Sequence, residues 1–133
     1  MSNSVITAIT ELDQSRYKTK VFSDGHLVYA DEPESLGGTN EGMTPGALLL
    51  ASLGSCTAIT IRMYADRKEI PLETIKVDLA ICKEEEMSKE TTITRKIEFT
   101  GDITQEQRER LMVIADKCPI HKLLTNPIKI TTT

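Results

Sequence analysis

The side chains best suited to chemistry in this chain are three cysteines, Cys56, Cys82 and Cys118, and two histidines, His26 and His121. A thiolate is a nucleophile and a metal ligand, and its availability follows the local pKa. Two cysteines and two histidines are enough for a tetrahedral metal site. The close spacings such sites use, CxxC or HExxH, are absent, so no metal is expected. His121 stands three residues after Cys118 and is placed to tune a thiol, as is His26 after a turn. Cys56 follows Gly54-Ser55, a pair that can bend a helix. Cys118 precedes Pro119, which can open a short helix whose unpaired amides stabilise a thiolate. Cysteine also serves as a small buried hydrophobe, and that reading stands beside the chemical one. Cys82 alternates onto the less apolar face of a strand and is expected to be non-catalytic. Spacing alone does not bring Cys56 and Cys118 together, because 61 residues lie between them.

Other chemistries find no support. The chain has no GxSxG elbow and no GxxxxGK[ST] loop, and Gly37-Gly38-Thr39 lacks the lysine a phosphate loop needs. The carboxylates of 84–86 read as solvated surface. A net charge of −4, two phenylalanines and no tryptophan give neither a phosphate-binding patch nor a stacking platform for nucleic acid. The first residues, MSNSVITAITELDQ, lack the basic start and apolar core of a signal peptide. An odd cysteine count does not suit a secreted disulfide framework. The cytoplasm is the expected location, where the thiols stay reduced.

The element that must position Cys56 is the run 43–68, MTPGALLLASLGSCTAITIRMYADRK, the longest low-charge stretch. Thr44 before Pro45 reads as N-cap and first helical position, and the polar, basic tail suits a helix C-terminus. The pattern predicts one helix over 45–68, buried on most faces. Small and hydroxyl residues in it, with a charged remainder of the chain, argue for a core helix rather than a membrane span. A chain of this size needs help to bury it, and a second copy is one source.

Strands are expected over 5–12, 16–22 and 26–30, the last two joined by Asp24-Gly25. A glycine-rich loop over 31–43 then feeds the helix. Alternation predicts strands over 74–82 and 91–100, with a charged turn over 83–90 between them. Arg95 interrupts the apolar face of the second and is read as snorkelling. Thr104 and Gln107 form a capping box for a helix over 105–117. A helical turn over 120–124 and a short strand over 128–130 close the chain. The whole is an α+β arrangement in a single domain, 1–133.

Two segments carry a family resemblance. GGTNEGMTPGALLLASLGSCTAITIRMYADRK, residues 37–68, and ADKCPIHKLLTNPIKI, residues 115–130, resemble the OsmC/Ohr family (osmotically induced protein C and organic hydroperoxide resistance protein). The order of elements between them agrees. The resemblance implies antiparallel sheets wrapped around a long central helix in an intertwined homodimer, with sites at the subunit interface. It makes Cys56 the peroxidatic and Cys118 the resolving cysteine of a thiol-dependent peroxidase acting on organic hydroperoxides. Cys56 becomes a sulfenic acid, a Cys56–Cys118 disulfide follows, and a dithiol, lipoyl groups in some relatives, restores both thiols. No metal, haem or flavin is implied, nor nucleic acid or membrane.

The chain departs from the family pattern where the thiol is activated. Family peroxidases carry a glutamate just after the helix-opening proline, and it orients an arginine onto the reactive cysteine. Gly46 occupies that position here. Glu32, Glu34 and Glu41 are candidate substitutes, Arg16 is the one arginine before the helix, and His26 is a further candidate. Two alternatives come from other classes: a protein binding an apolar small molecule, and a redox-sensing or structural dimer with little turnover.

Overall fold

Asp24 and Gly25 both take positive φ, 48° and 79°, the backbone twist that a two-residue hairpin between right-twisted strands requires. They join β2 (Thr19–Ser23) to β3 (His26–Ala30), antiparallel, with Ser23 opposite His26. β1 (Ile9–Glu11) pairs with the other edge of β2. The computed structural model describes residues 5–82 and 90–133. The chain divides into two compact units, Met1–Leu49 and Leu50–Thr133, and this three-stranded sheet belongs to the first.

The strand expected over 16–22 starts only at Thr19. Residues 14–17 form a bend, and the Tyr17 amide donates to the Asp31 carboxylate at 3.0 Å instead of to a strand. Asp31 is the organiser of the following loop. It is buried, and it accepts from the amides of Tyr17, Glu32 and Glu41 and from the Thr39 hydroxyl. The Thr39 hydroxyl leads these bonds in holding the carboxyl well below the usual carboxylate range against the cost of burial. The glycine-rich stretch is thus an ordered loop, folded around one anion.

α1 (Pro45–Arg67) follows, with the Thr44 hydroxyl accepting the Ala47 amide at 3.2 Å as its cap. It is continuous through Gly54-Ser55. By length and apolar content it would suffice to cross a membrane, yet its buried residues, Leu53, Gly54, Thr57, Ile61 and Ala65, form a stripe at helical spacing. Burial on most faces is therefore not achieved by one chain. Leu49, Ile59 and Met63 remain 42%, 53% and 63% exposed.

In the second unit β4 (Leu72–Cys82) and β5 (Thr92–Gly101) make one long antiparallel hairpin. The turn expected over 83–90 lies, apart from Glu90, outside the described residues. Arg62 ties the helix to the start of this hairpin by donating to the carbonyls of Leu72 and Glu73 at 2.7 and 2.6 Å. At Gly54 the helix approaches β4 closely: a Cβ there would stand 2.7 Å from Leu79 Cδ1. α2 (Gln105–Ala115) opens with the expected capping box between Thr104 and Gln107. Its Leu111, Ile114 and Ala115 close a core with Ile61, Ala65, Leu72 and Phe99. α3 (Pro119–Leu124) comes directly after Cys118. The short strand expected over 128–130 does not form. Ile128 and Ile130 are exposed, and an apolar run without a partner edge has nothing to satisfy its backbone groups.

Candidate functional site

The two helices that carry Cys56 and lead to Cys118 pack through the core just described, and this brings the thiols together. Cys118 is completely buried, while Cys56 is half-buried on α1. Both are free thiols, and Cys82 stands apart on the exposed face of β4. The Cys56 and Cys118 side chains are near enough for each to influence the ionisation of the other.

Cys118 is the N-cap of α3, in extended conformation at φ −61° and ψ 131°. Pro119, at the first helical position, has no N–H, so the next amides meet the sulfur. The His121 amide donates to Cys118 Sγ at 3.4 Å, and the Ile120 amide favours the ionised form of both thiols. The surroundings push the ionisation of the two sulfurs in opposite directions. Burial raises the pKa of Cys56, and Cys118, as acceptor of its proton and as a neighbouring negative charge, raises it further. The Ile120 amide and the Thr60 hydroxyl offset this only in part. Burial also acts against the Cys118 thiolate, but the Cys56 S–H, the His121 and Ile120 amides and the Thr57 hydroxyl outweigh it and bring Cys118 below the ordinary thiol value. Of the two thiols Cys118 is the one favoured to ionise first, and the two ionisations belong to the pair.

Around the pair stands a group of polar side chains that the sequence reading did not assemble. Arg95 of β5 donates through Nη1 to Thr57 Oγ1 at 3.0 Å and to the Ala115 carbonyl at 3.3 Å, and through Nη2 to Asp116 Oδ1 at 2.7 Å. Its side chain is 14% exposed, so it does not snorkel. His121 Nε2 lies 3.9 Å from the same Asp116 oxygen. An open cleft of about 450 Å³ runs alongside, with Leu53, Ile93 and Leu124 as apolar wall and Arg95, His121 and Thr125 as polar wall. The signal for Arg95 was its place on the otherwise apolar inward face of a strand, where a cation needs a partner.

The remaining candidates lie in the first unit. Arg16 is exposed in the bend before β2. His26 is exposed at the hairpin turn, opposite Ser23. Glu32 is half-buried, and its amide serves Asp31. Glu41 pairs with Lys18 at 3.3 Å, and Thr39 and Lys18 hold its carboxyl below the ordinary value. Gly46 sits exposed in the first turn of α1, and a Cβ there would meet open space. Among the described residues no arginine contributes to the ionisation of Cys56, and no three of His, Cys, Asp and Glu group as a metal site.

A model of the OsmC-like protein family matches residues 38–133. No curated protein matches the chain. Among solved structures, an OsmC-like protein from Mycoplasma pneumoniae superposes with a TM-score of 0.78 at 18% identity, covering 92% of this chain and 89% of that one. An organic hydroperoxide resistance protein OsmC from Legionella pneumophila gives a TM-score of 0.68 at 20% identity, covering 94% and 92%. An organic hydroperoxide resistance protein from Elizabethkingia anophelis, with thiocyanate bound, gives 0.66 at 19%, covering 93% and 90%. These likenesses establish the α+β fold.

Proposed function

The chain belongs to the OsmC-like protein family, and from that premise we propose that it is a thiol-dependent peroxidase that reduces organic hydroperoxides through Cys56 and Cys118. The observation that carries the proposal is the adjacency of these two thiols, one half-buried on α1 and one buried at the cap of α3. Peroxide can reach Cys56 and not Cys118. The Cys56 sulfur, ionised once its proton has moved to Cys118 or to solvent, attacks the terminal oxygen of ROOH. The O–O bond breaks, the alkoxide takes a proton and leaves as alcohol, and Cys56 becomes a sulfenic acid. The Cys118 thiolate then attacks the Cys56 sulfur. Hydroxide leaves, takes a proton to become water, and a Cys56–Cys118 disulfide remains. An external dithiol, for which a lipoyl group is a suitable form, reduces the disulfide by exchange and is itself oxidised.

The cleft walled by His121, whose amide bonds Cys118, suits the organic part of the hydroperoxide: apolar wall for an alkyl chain, Arg95 and His121 for a polar end. The exposed apolar residues of α1 support a homodimer, and the three free thiols suit a reducing cytoplasm.

The test is peroxide consumption with a dithiol reductant. Wild type turns over. Cys56→Ser abolishes turnover, and Cys118→Ser allows one reaction with peroxide but no cycle. Equal rates in all three proteins would sink the proposal. Tight binding of an apolar ligand with no consumption by wild type would favour a binding protein instead.

A further inference from the structure

α2 ends without a basic residue in its last turn. The last carbonyls of a helix have no partner inside it and carry the negative end of its dipole, so a donor is needed there and a cationic one suits best. Arg95 of β5 supplies it. Its Nη1 donates to the Ala115 carbonyl at 3.3 Å, and the Cys118 amide donates to the same oxygen at 3.4 Å. Its Nη2 donates to Asp116 Oδ1 at 2.7 Å. That oxygen also lies 3.9 Å from His121 Nε2 on α3, so these contacts bracket Cys118 from both sides in sequence. The remaining bond, from Nη1 to Thr57 Oγ1 at 3.0 Å, ends on α1 one residue after Cys56. Thr57 is completely buried, and its hydroxyl donates to the Leu53 carbonyl at 2.7 Å, so this anchor is itself fixed.

We propose that Arg95 is a positioning residue: a three-point clamp from β5 that holds the turn carrying Cys118 against the turn of α1 carrying Cys56. A planar guanidinium presents its N–H groups in a rigid fork. Bonds made at once to Thr57, Ala115 and Asp116 therefore fix the two segments in angle as well as in distance. A disulfide needs that precision, because it closes only over a narrow range of Cα separations and side-chain directions. Segments held in that range close it as an intramolecular step at high effective concentration, and segments free to drift do not. The carbonyl that Arg95 grips is the one that holds the Cys118 amide, so loss of the guanidinium loosens the backbone of the cysteine itself. The inference rests on the proposed Cys56–Cys118 cycle for its purpose, which is to close the disulfide before a second peroxide arrives. Its test uses no peroxide.

The test is the equilibrium of the Cys56–Cys118 pair with glutathione, in a Cys82→Ser background so that only the pair reacts. The two protein thiols give two hydrogens and two electrons to glutathione disulfide, whose S–S bond breaks to leave two glutathione thiols, and the protein gains one S–S bond. The equilibrium constant is the effective concentration of one protein thiol at the other. Arg95→Met is expected to lower it by roughly tenfold or more, the scale of one lost charge-assisted hydrogen bond. Asp116→Ala, at an exposed side chain, is expected to lower it several-fold, and Asp116→Asn, which still offers Nη2 an acceptor, to restore most of it. Should Arg95→Met fail to fold, the two Asp116 variants carry the same comparison. A lower urea midpoint with an unchanged constant makes Arg95 a residue of general stability and overturns the inference, as does a parent protein that closes no disulfide in glutathione. A lowered constant in a protein that consumes no peroxide removes the peroxidase reading alone. Peroxide consumption with a constant that Arg95→Met leaves at the parent value removes this inference alone.

Discussion

At Cys56 and Cys118 two identical side chains differ because of what each accepts. Cys118 gathers amides and a hydroxyl at a helix cap, whereas Cys56 faces burial and a neighbouring sulfur. The sign of the pH response follows. Cys118, lowered, is charged from below the ordinary thiol value, and Cys56, raised, stays protonated above it. Thiolate absorbance of wild type is expected to rise in two separated steps. Replacing Cys118 by serine removes the charge that resists the second ionisation, so Cys56 titrates at lower pH than in wild type. An unchanged Cys56 titration in Cys118→Ser would show that the sulfurs do not interact.

Among the elements, α1 matters most, and its contact with β4 depends on Gly54. A larger side chain there meets Leu79 at the closest approach of helix and strand. Gly54→Leu is expected to destabilise the protein by about 1–3 kcal/mol, read as a lower urea midpoint at unchanged slope. Gly46→Ala, where a Cβ meets open space, is expected to stabilise by roughly 0.5–1 kcal/mol through helix propensity. The opposite ranking of the two variants would overturn the packing described for α1. In sequence, Gly54-Ser55 suggests a bend. In the fold it is a place of close approach, because a missing Cβ serves packing as readily as it serves a kink.

For the whole molecule, the surface left by one chain predicts association. Ile59 and Met63 are more than half exposed on an apolar helix, and burying them against a second copy removes that area from water. Wild type is expected to sediment as a dimer, and Ile59→Glu with Met63→Glu to shift it toward monomer. A wild type that sediments as a monomer at micromolar concentration would remove the homodimer from the proposed function.

Local physics makes much of this legible in the sequence. The Asp24-Gly25 turn, the Thr44 cap, the Thr104 and Gln107 box and the alternation of β4 and β5 depend on neighbours within a few residues, so they can be read in one dimension. The two cysteine segments are legible as well, through their order and context. The strand expected over 128–130 fails because a strand depends on a partner edge that sequence does not display. The snorkelling expected of Arg95 fails for the same reason: whether a cation on an apolar face reaches water or an acceptor depends on what lies opposite. Thr57, Ala115 and Asp116 lie opposite only after α1 and α2 pack together. The sequence alone determined that a thiol stands in a long apolar helix and another before a proline. Only the tertiary structure decided that the two stand together and that their ionisations are pushed in opposite directions, because that depends on the packing of residues distant in the chain.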